Sequence, residues 1–280
     1  MMFLENLSLI FSEEYIRNAF IVGVLISICT AVLGVEIVLK KYSMLGDGLS
    51  HVSFGTLAVA SAFNFASLEI SLVIVIIVAF FLLQIRQNSK INGDAAVAVV
   101  SGSFMALGIF ASNLSGGSNT EFSNYMFGSI FAIKDNFLLS VTMCTVVIIV
   151  FCLFYNKIFA VTFDEDFSKA TGGKTGLYNL IIAVLTAVTV VVGMKLIGTL
   201  IISSLTVFPV VASLKVAKTY RSSVIAAVAL SLIAFIIGFV LSLGIENMPL
   251  SSAIIFCNLI ILGCCFAYSR FKKRSNGGKI

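Results

Sequence analysis

Two side chains in the apolar stretch 44–60, MLGDGLSHVSFGTLAVA, could do chemistry that their neighbours cannot. They are Asp47 and His51, and His51 is the only histidine of the chain. Four positions apart, they share one face of a helix, one turn above the other. In a membrane-embedded helix a central aspartate costs roughly 2.5–3.5 kcal/mol on insertion scales, and such a cost implies a task. A carboxylate beside an imidazole is a donor pair for a divalent cation, so the pair points to a doubly charged ion crossing the membrane. A plainer reading keeps an Asp–His hydrogen bond, within or between helices, that only fixes packing. One Asp and one His fall short of the six or more ligands that hard divalent ions take. A twofold dimer would bring two of each to one axis, with water completing the shell.

The rest of the chain must hold this pair in lipid. Of its 280 residues 59% are hydrophobic and 11% charged, and the mean hydropathy is +1.11. A soluble domain carries about a quarter charged residues. Apolar runs long enough to span recur with short polar breaks, which reads as an all-α polytopic membrane protein. The expected spans are 17–39, 42–63, 68–85, 95–112, 137–155, 176–194, 196–214, 223–243 and 250–269, so about nine (eight to nine). The sixth and seventh nearly touch at Lys195. Pro249 stands in the first turn of the last, where its missing N–H costs nothing. Residues 1–16 read as a short interfacial piece without a signal-peptide n-region, and 126–133 as a further apolar piece. If the second span starts near Tyr42, Asp47 lies about 8 Å in and His51 about 14 Å in. Ser43, Gly46, Ser50 and Ser53 form a small-residue seam beside them, suited to helix–helix contact.

Charge gives the orientation. Alternating sides along the nine spans puts all of the 18 basic residues except Arg17, Lys134 and Lys195 on one side. By the positive-inside rule that side is cytoplasmic, with the N-terminus outside and the C-terminus inside. The net charge of +5 therefore belongs to loops and does not indicate nucleic-acid binding. The six cysteines all fall in apolar runs with no C-x-x-C pair, and read as small filler.

Other constellations carry weaker signals. In 156–175, Thr162 and Glu165 have capping-box spacing. Asp164, Glu165 and Asp166 load the first turn of a short helix with the favoured sign. Phe167 and Ala170 give it an apolar contact, and Gly172-Gly173 ends it. It is either a surface loop or a docking element for a cytoplasmic partner. The nearby SKATGGKT imitates a nucleotide-binding loop, but Ser168 stands at the first glycine and no buried strand precedes it. Ser50 and His51 are adjacent and point about 100° apart, so they form no hydrolytic dyad. In the seventh span Thr199, Ser203, Ser204 and Thr206 make a polar flank and Pro209 interrupts the ladder. Hydroxyls bonded to their own backbone on a kinked helix, or pathway lining by Ser203, Ser204, Thr206 and Pro209, are the two readings. Glu36, one turn before Lys40, is either half of a screened ion pair or part of ion passage.

These stretches resemble a family. SMLGDGLSHVSFG is similar to the signature of the membrane permease subunits of bacterial ABC importers for manganese, zinc and iron. NGDAAVAVVSGSFMALG (92–108), YMFGSIFAI (125–133), VTFDEDFSKATG (161–172), IGTLIISSLTVFPVVAS (197–213) and NMPLSSAIIF (247–256) match in the same order, nearly the whole chain. The resemblance implies one permease domain over 1–280, homodimeric in a multi-pass bacterial cell membrane. It implies a separate cytoplasmic ABC ATPase, an extracytoplasmic metal-binding protein, and no resident cofactor beyond the transported ion. It implies that Asp47 and His51 face the path, and that Asp164, Glu165, Asp166, Phe167, Ala170 and Gly172 belong to the helix coupling to the ATPase, near 162–173. The chain departs from the pattern at Ser251 and Ser252, where a glycine often follows the proline, and near Glu36, where the family is usually apolar. The chain has no ATPase motif of its own. Ligand chemistry leans to Mn²⁺, with Zn²⁺ or Fe²⁺ open, since zinc prefers four N/S ligands. The alternative is a secondary metal transporter driven by an ion gradient, with Glu36, Asp47 and His51 as its relay.

Overall fold

The computed structural model describes residues 13–63, 67–88, 93–115, 126–128, 137–245 and 248–277. Ten helices and no strand occur among the described residues. They are α1 (Glu14–Leu39), α2 (Ser43–Ala62), α3 (Ser67–Asn88), α4 (Gly93–Leu114), α5 (Phe137–Phe163), α6 (Glu165–Ala170), α7 (Thr175–Ile197), α8 (Thr199–Val216), α9 (Tyr220–Gly244) and α10 (Leu250–Gly277). Eight of them are long and apolar enough to cross a membrane. With 20 residues, α2 is about 30 Å long and could span as well. Its Asp, His, glycines and serines lower its hydropathy. It can afford them because α1, α3, α4, α7 and α8 pack around it, so little of it must satisfy lipid.

Lipid tails are as apolar as leucine, so this packing rests on close approach and hydrogen bonds rather than on expulsion of water. Glycines make the approach possible. A Cβ at Gly55 would lie 2.0 Å from the Phe104 carbonyl of α4, and one at Gly108 would lie 2.7 Å from the Gly55 Cα. A Cβ at Gly48 would meet Val97 at 2.2 Å, and one at Gly34 of α1 would meet the Thr206 carbonyl of α8 at 2.3 Å. The core runs along α1 through Val22, Ile26, Cys29, Leu33 and Ile37, at helical spacing, against Val190 and Val191 of α7 and Ile201, Ile202 and Leu205 of α8. Between α2 and α3 the Thr56 and Ser71 hydroxyls bond to each other at 2.6 Å.

Three expectations are corrected. First, α5 does not stop near 155 but continues to Phe163. Ile158 and Val161 remain apolar and pack inward, 0% and 2% exposed, so the helix still has a face to bury. Second, Thr162 is not a cap. It lies inside α5, and Asp164 caps α6, its Oδ1 accepting from the Phe167 N–H at 2.8 Å. A capping box does exist, at Thr219 and Ser222 before α9. Third, α7 and α8 part at Gly198 rather than at Lys195. Gly198 has φ +97°, a conformation that a Cβ disfavours. Gly128, with φ +81°, lies against it: a Cβ on Gly198 would sit 2.5 Å from the Gly128 N, and one on Gly128 2.2 Å from the Ile197 O. Most of the expected pieces 1–16 and 126–133 lies outside the described residues.

Candidate functional site

The site is built on the one stripe of α2 that its neighbours leave open. Met44, Asp47 and His51 follow each other at i, i+3 and i+7, and none is buried, whereas positions 52–58 are buried without exception. The Asp47 side chain is 43% exposed and that of His51 27%. Asp47 Oδ2 lies 3.8 Å from His51 Nε2, longer than a hydrogen bond. Within α2 the two side chains are therefore not joined by a direct hydrogen bond.

The other carboxylate oxygen is held from α8. Ser203 Oγ donates to Asp47 Oδ1 at 2.6 Å and lies 3.2 Å from its own-helix acceptor, the Thr199 carbonyl. The two helices can meet there because Gly46 faces Thr206, whose Cγ2 would be 3.2 Å from a Cβ on Gly46. The small-residue seam thus has a partner in α8, and Ser50 and Ser53 are fully buried. Ser50 Oγ donates to the Asp47 carbonyl at 2.7 Å, which also leaves it no part in a dyad with His51.

The remaining polar residues of α8 go elsewhere. Ser204 accepts from Asn258 Nδ2 of α10 at 3.4 Å. Thr206 donates to its own-helix Ile202 carbonyl at 2.7 Å, and Pro209 is buried inside an unbroken α8. Of these positions Ser203 alone reaches the acid among the described residues. Its helix continues the open face through Leu200, Val207 and Val211, none of them buried. Among the described residues no group of three or more His, Cys, Asp or Glu side chains gathers anywhere. One chain therefore offers a carboxylate, an imidazole and a hydroxyl, which is an incomplete shell for a divalent ion.

Helix α6 is compact and well finished. Gly172 N–H donates to the Lys169 carbonyl at 3.0 Å and Gly173 N–H to the Ser168 carbonyl at 2.7 Å, the two bonds of a Schellman stop. Glu165 and Lys169 pair at 3.0 Å, and that carboxylate holds the ammonium above the ordinary lysine range. Phe167 is 66% exposed, an apolar ring left outside on a charged helix. Asp166 and Ala170 are exposed beside it.

Glu36 does not pair with Lys40. It is fully buried and takes hydroxyls from two other helices: Thr162 Oγ1 donates to Oε2 at 2.5 Å, and the Tyr220 hydroxyl to Oε1. Lys40 Nζ donates instead to Asn179 Oδ1 of α7, and burial lowers its basicity from the usual lysine value. No spacing signal announces these partners, because Thr162 and Tyr220 are remote from Glu36 in sequence. The only hint is that each stands near one end of an apolar run.

The chain can now be set beside known proteins. A family model, the ABC 3 transport family, matches residues 12–269. The high-affinity zinc uptake system membrane protein ZnuB of Buchnera aphidicola subsp. Acyrthosiphon pisum (strain APS) is 29% identical, over 88% of this chain and 94% of its own length. The manganese import system permease protein ScaB of Streptococcus gordonii is 24% identical, over 89% of this chain and 90% of its own. The solved structure of PsaBC from Streptococcus pneumoniae in complex with Fab is similar with a TM-score of 0.83 and 22% identity, over 94% of this chain and 95% of that one. At that identity the likeness speaks for the fold.

Proposed function

The chain belongs to the ABC 3 transport family, and on that premise we propose that it imports a divalent transition metal through a pathway containing Asp47 and His51. The observation that carries this reading is the open stripe on α2. A carboxylate with one oxygen steadied by Ser203 and the other free sits 3.8 Å from an imidazole nitrogen. Two metal–ligand bonds of about 2.0–2.2 Å each can bridge that gap when bent. A second copy of the chain, placed with the α2 and α8 stripes facing, supplies a second set of donors across a twofold axis. The donors are then mixed oxygen and nitrogen, which suits Mn²⁺ and tolerates Zn²⁺ or Fe²⁺. Relatives named for zinc and for manganese uptake fit that breadth.

Energy enters through a separate ATPase. In this reading α6 docks to it on the cytoplasmic side, with Phe167 as the apolar contact and Asp164, Glu165 and Asp166 as the charged rim. An extracytoplasmic binding protein delivers the ion. The C-terminus lies in the cytoplasm, as the distribution of Lys and Arg requires. Family membership favours this ATP-driven scheme over the gradient-driven alternative.

The test is uptake of radioactive Mn²⁺, Zn²⁺ and Fe²⁺ in competition, by the chain reconstituted with its ATPase and binding protein. ATP-dependent uptake with Mn²⁺ as the best competitor is expected. Uptake that ignores ATP and follows an imposed proton gradient overturns the scheme. Equal competition by all three metals leaves selection to the binding protein and removes the preference for manganese.

A further inference from the structure

The buried Glu36 has no part in the pathway just described, yet two other helices converge on it. Its two oxygens accept from Thr162 of α5 and Tyr220 of α9. The Tyr220 ring is fixed by the last turns of α5, with centroids 5.3 Å from Tyr155, 4.7 Å from Phe159 and 6.0 Å from Phe163. These rings recur at i, i+4 and i+8, one face of α5. Two hydroxyls from different helices thus satisfy both oxygens of one buried carboxyl group.

The position of this node matters more than its strength. Thr162 lies two residues before Asp164, the cap of α6. Asn179, which accepts from Lys40, lies on α7, the helix that follows α6. Both segments flanking α6 are therefore tied to the last turn of α1. That turn leads to α2 through residues 40–42 only, and the Tyr42 N–H donates to the Ile37 carbonyl at 2.8 Å, so the link is tight. Asp47 and His51 begin one turn further on.

We propose that Glu36 is a positioning residue that transmits movement of α6 to α2, and so to Asp47 and His51. This rests on the reading of α6 as the ATPase contact. The route is a run of bonded groups: Asp164 and Thr162 at the end of α5, Glu36, the 40–42 turn, then α2. Helices can shift as rigid bodies, and the tie decides which of them shift together. Without it α6 can still respond to the ATPase, but the response need not reach α2.

The test is the number of Mn²⁺ ions taken up per ATP hydrolysed by the reconstituted complex in proteoliposomes. Glu36→Leu is expected to lower that ratio about tenfold while hydrolysis stays within about twofold. Thr162→Val and Tyr220→Phe each remove one hydroxyl and keep the shape. Each should lower the ratio about three- to fivefold, and Glu36→Gln should fall between them and wild type. A role confined to packing would instead lower hydrolysis, uptake and yield in step and leave the ratio unchanged. If Glu36→Leu does not assemble, the two hydroxyl variants decide. Wild-type ratios in both overturn the proposal. Absence of ATP-driven uptake by the wild-type complex is a different result, and refutes the metal-import scheme on which it rests.

Discussion

Asp47 and Glu36 are carboxylates on consecutive helices, and the protein treats them oppositely. Glu36 is sealed, with both oxygens taken by hydroxyls of neighbouring helices. Asp47 is 43% exposed, with one oxygen steadied by Ser203 and the other directed at an imidazole too distant to bond. A buried acid that is fully partnered holds structure together, and removing its partners leaves buried polar atoms unsatisfied at a cost. A charge left half-satisfied on an open face is available to something that arrives. Acidity is common to both residues; unused bonding capacity separates them.

That contrast can be broken most directly at Asp47. Asp47→Ala should cut metal uptake about 100-fold or more, and His51→Ala comparably, beyond the 10–100-fold that outer residues cost. Dimer assembly, read by cross-linking in membranes, should stay as in wild type. Normal uptake by either variant would remove the assignment. The converse holds for stability. Glu36→Leu should lower unfolding free energy in detergent by about 1–3 kcal/mol, the loss of two interhelical hydrogen bonds with their half-buried donors left unpaired. Asp47→Ala should change it by less than about 1 kcal/mol, because that side chain is partly exposed. Equal losses would show that exposure does not separate the two roles. A smaller effect is expected at Ser203→Ala, which removes one bond and leaves both cation donors. Uptake should fall about three- to tenfold, as a weaker apparent affinity for the metal rather than a lower maximal rate. Smallest of all is Lys169→Ala on the surface of α6, for which uptake should stay within about twofold.

Part of this arrangement could be read from the chain alone. An acid and a lone histidine four apart in an apolar run mark α2 as the unusual helix, because lipid tolerates neither without cause. Helix positions follow from the lengths of the apolar runs. Their ends do not: α5 keeps one apolar face past Tyr155 through Ile158 and Val161, which a search for uninterrupted hydrophobicity misses. The cap of α6 is ambiguous in sequence because Thr162 and Asp164 are both good caps by type. Only the third dimension shows Thr162 already engaged with Glu36. Ser203 could be placed on a polar flank, but its bond to Asp47 spans 156 positions of sequence and depends on how closely α2 and α8 approach. That approach depends in turn on Gly46, whose smallness carries no label for the partner it admits.

Where Gly128 lies against Gly198, two stretches of main chain touch with no side chain between them. The joint precedes Ser203 by little more than one turn, so the start of the helix that carries the oxygen steadying Asp47 is set by a contact between peptide planes. Neither glycine can be exchanged to suit a change in the other. Over time neither position should drift, and a library randomising both at once should return almost nothing but the original pair.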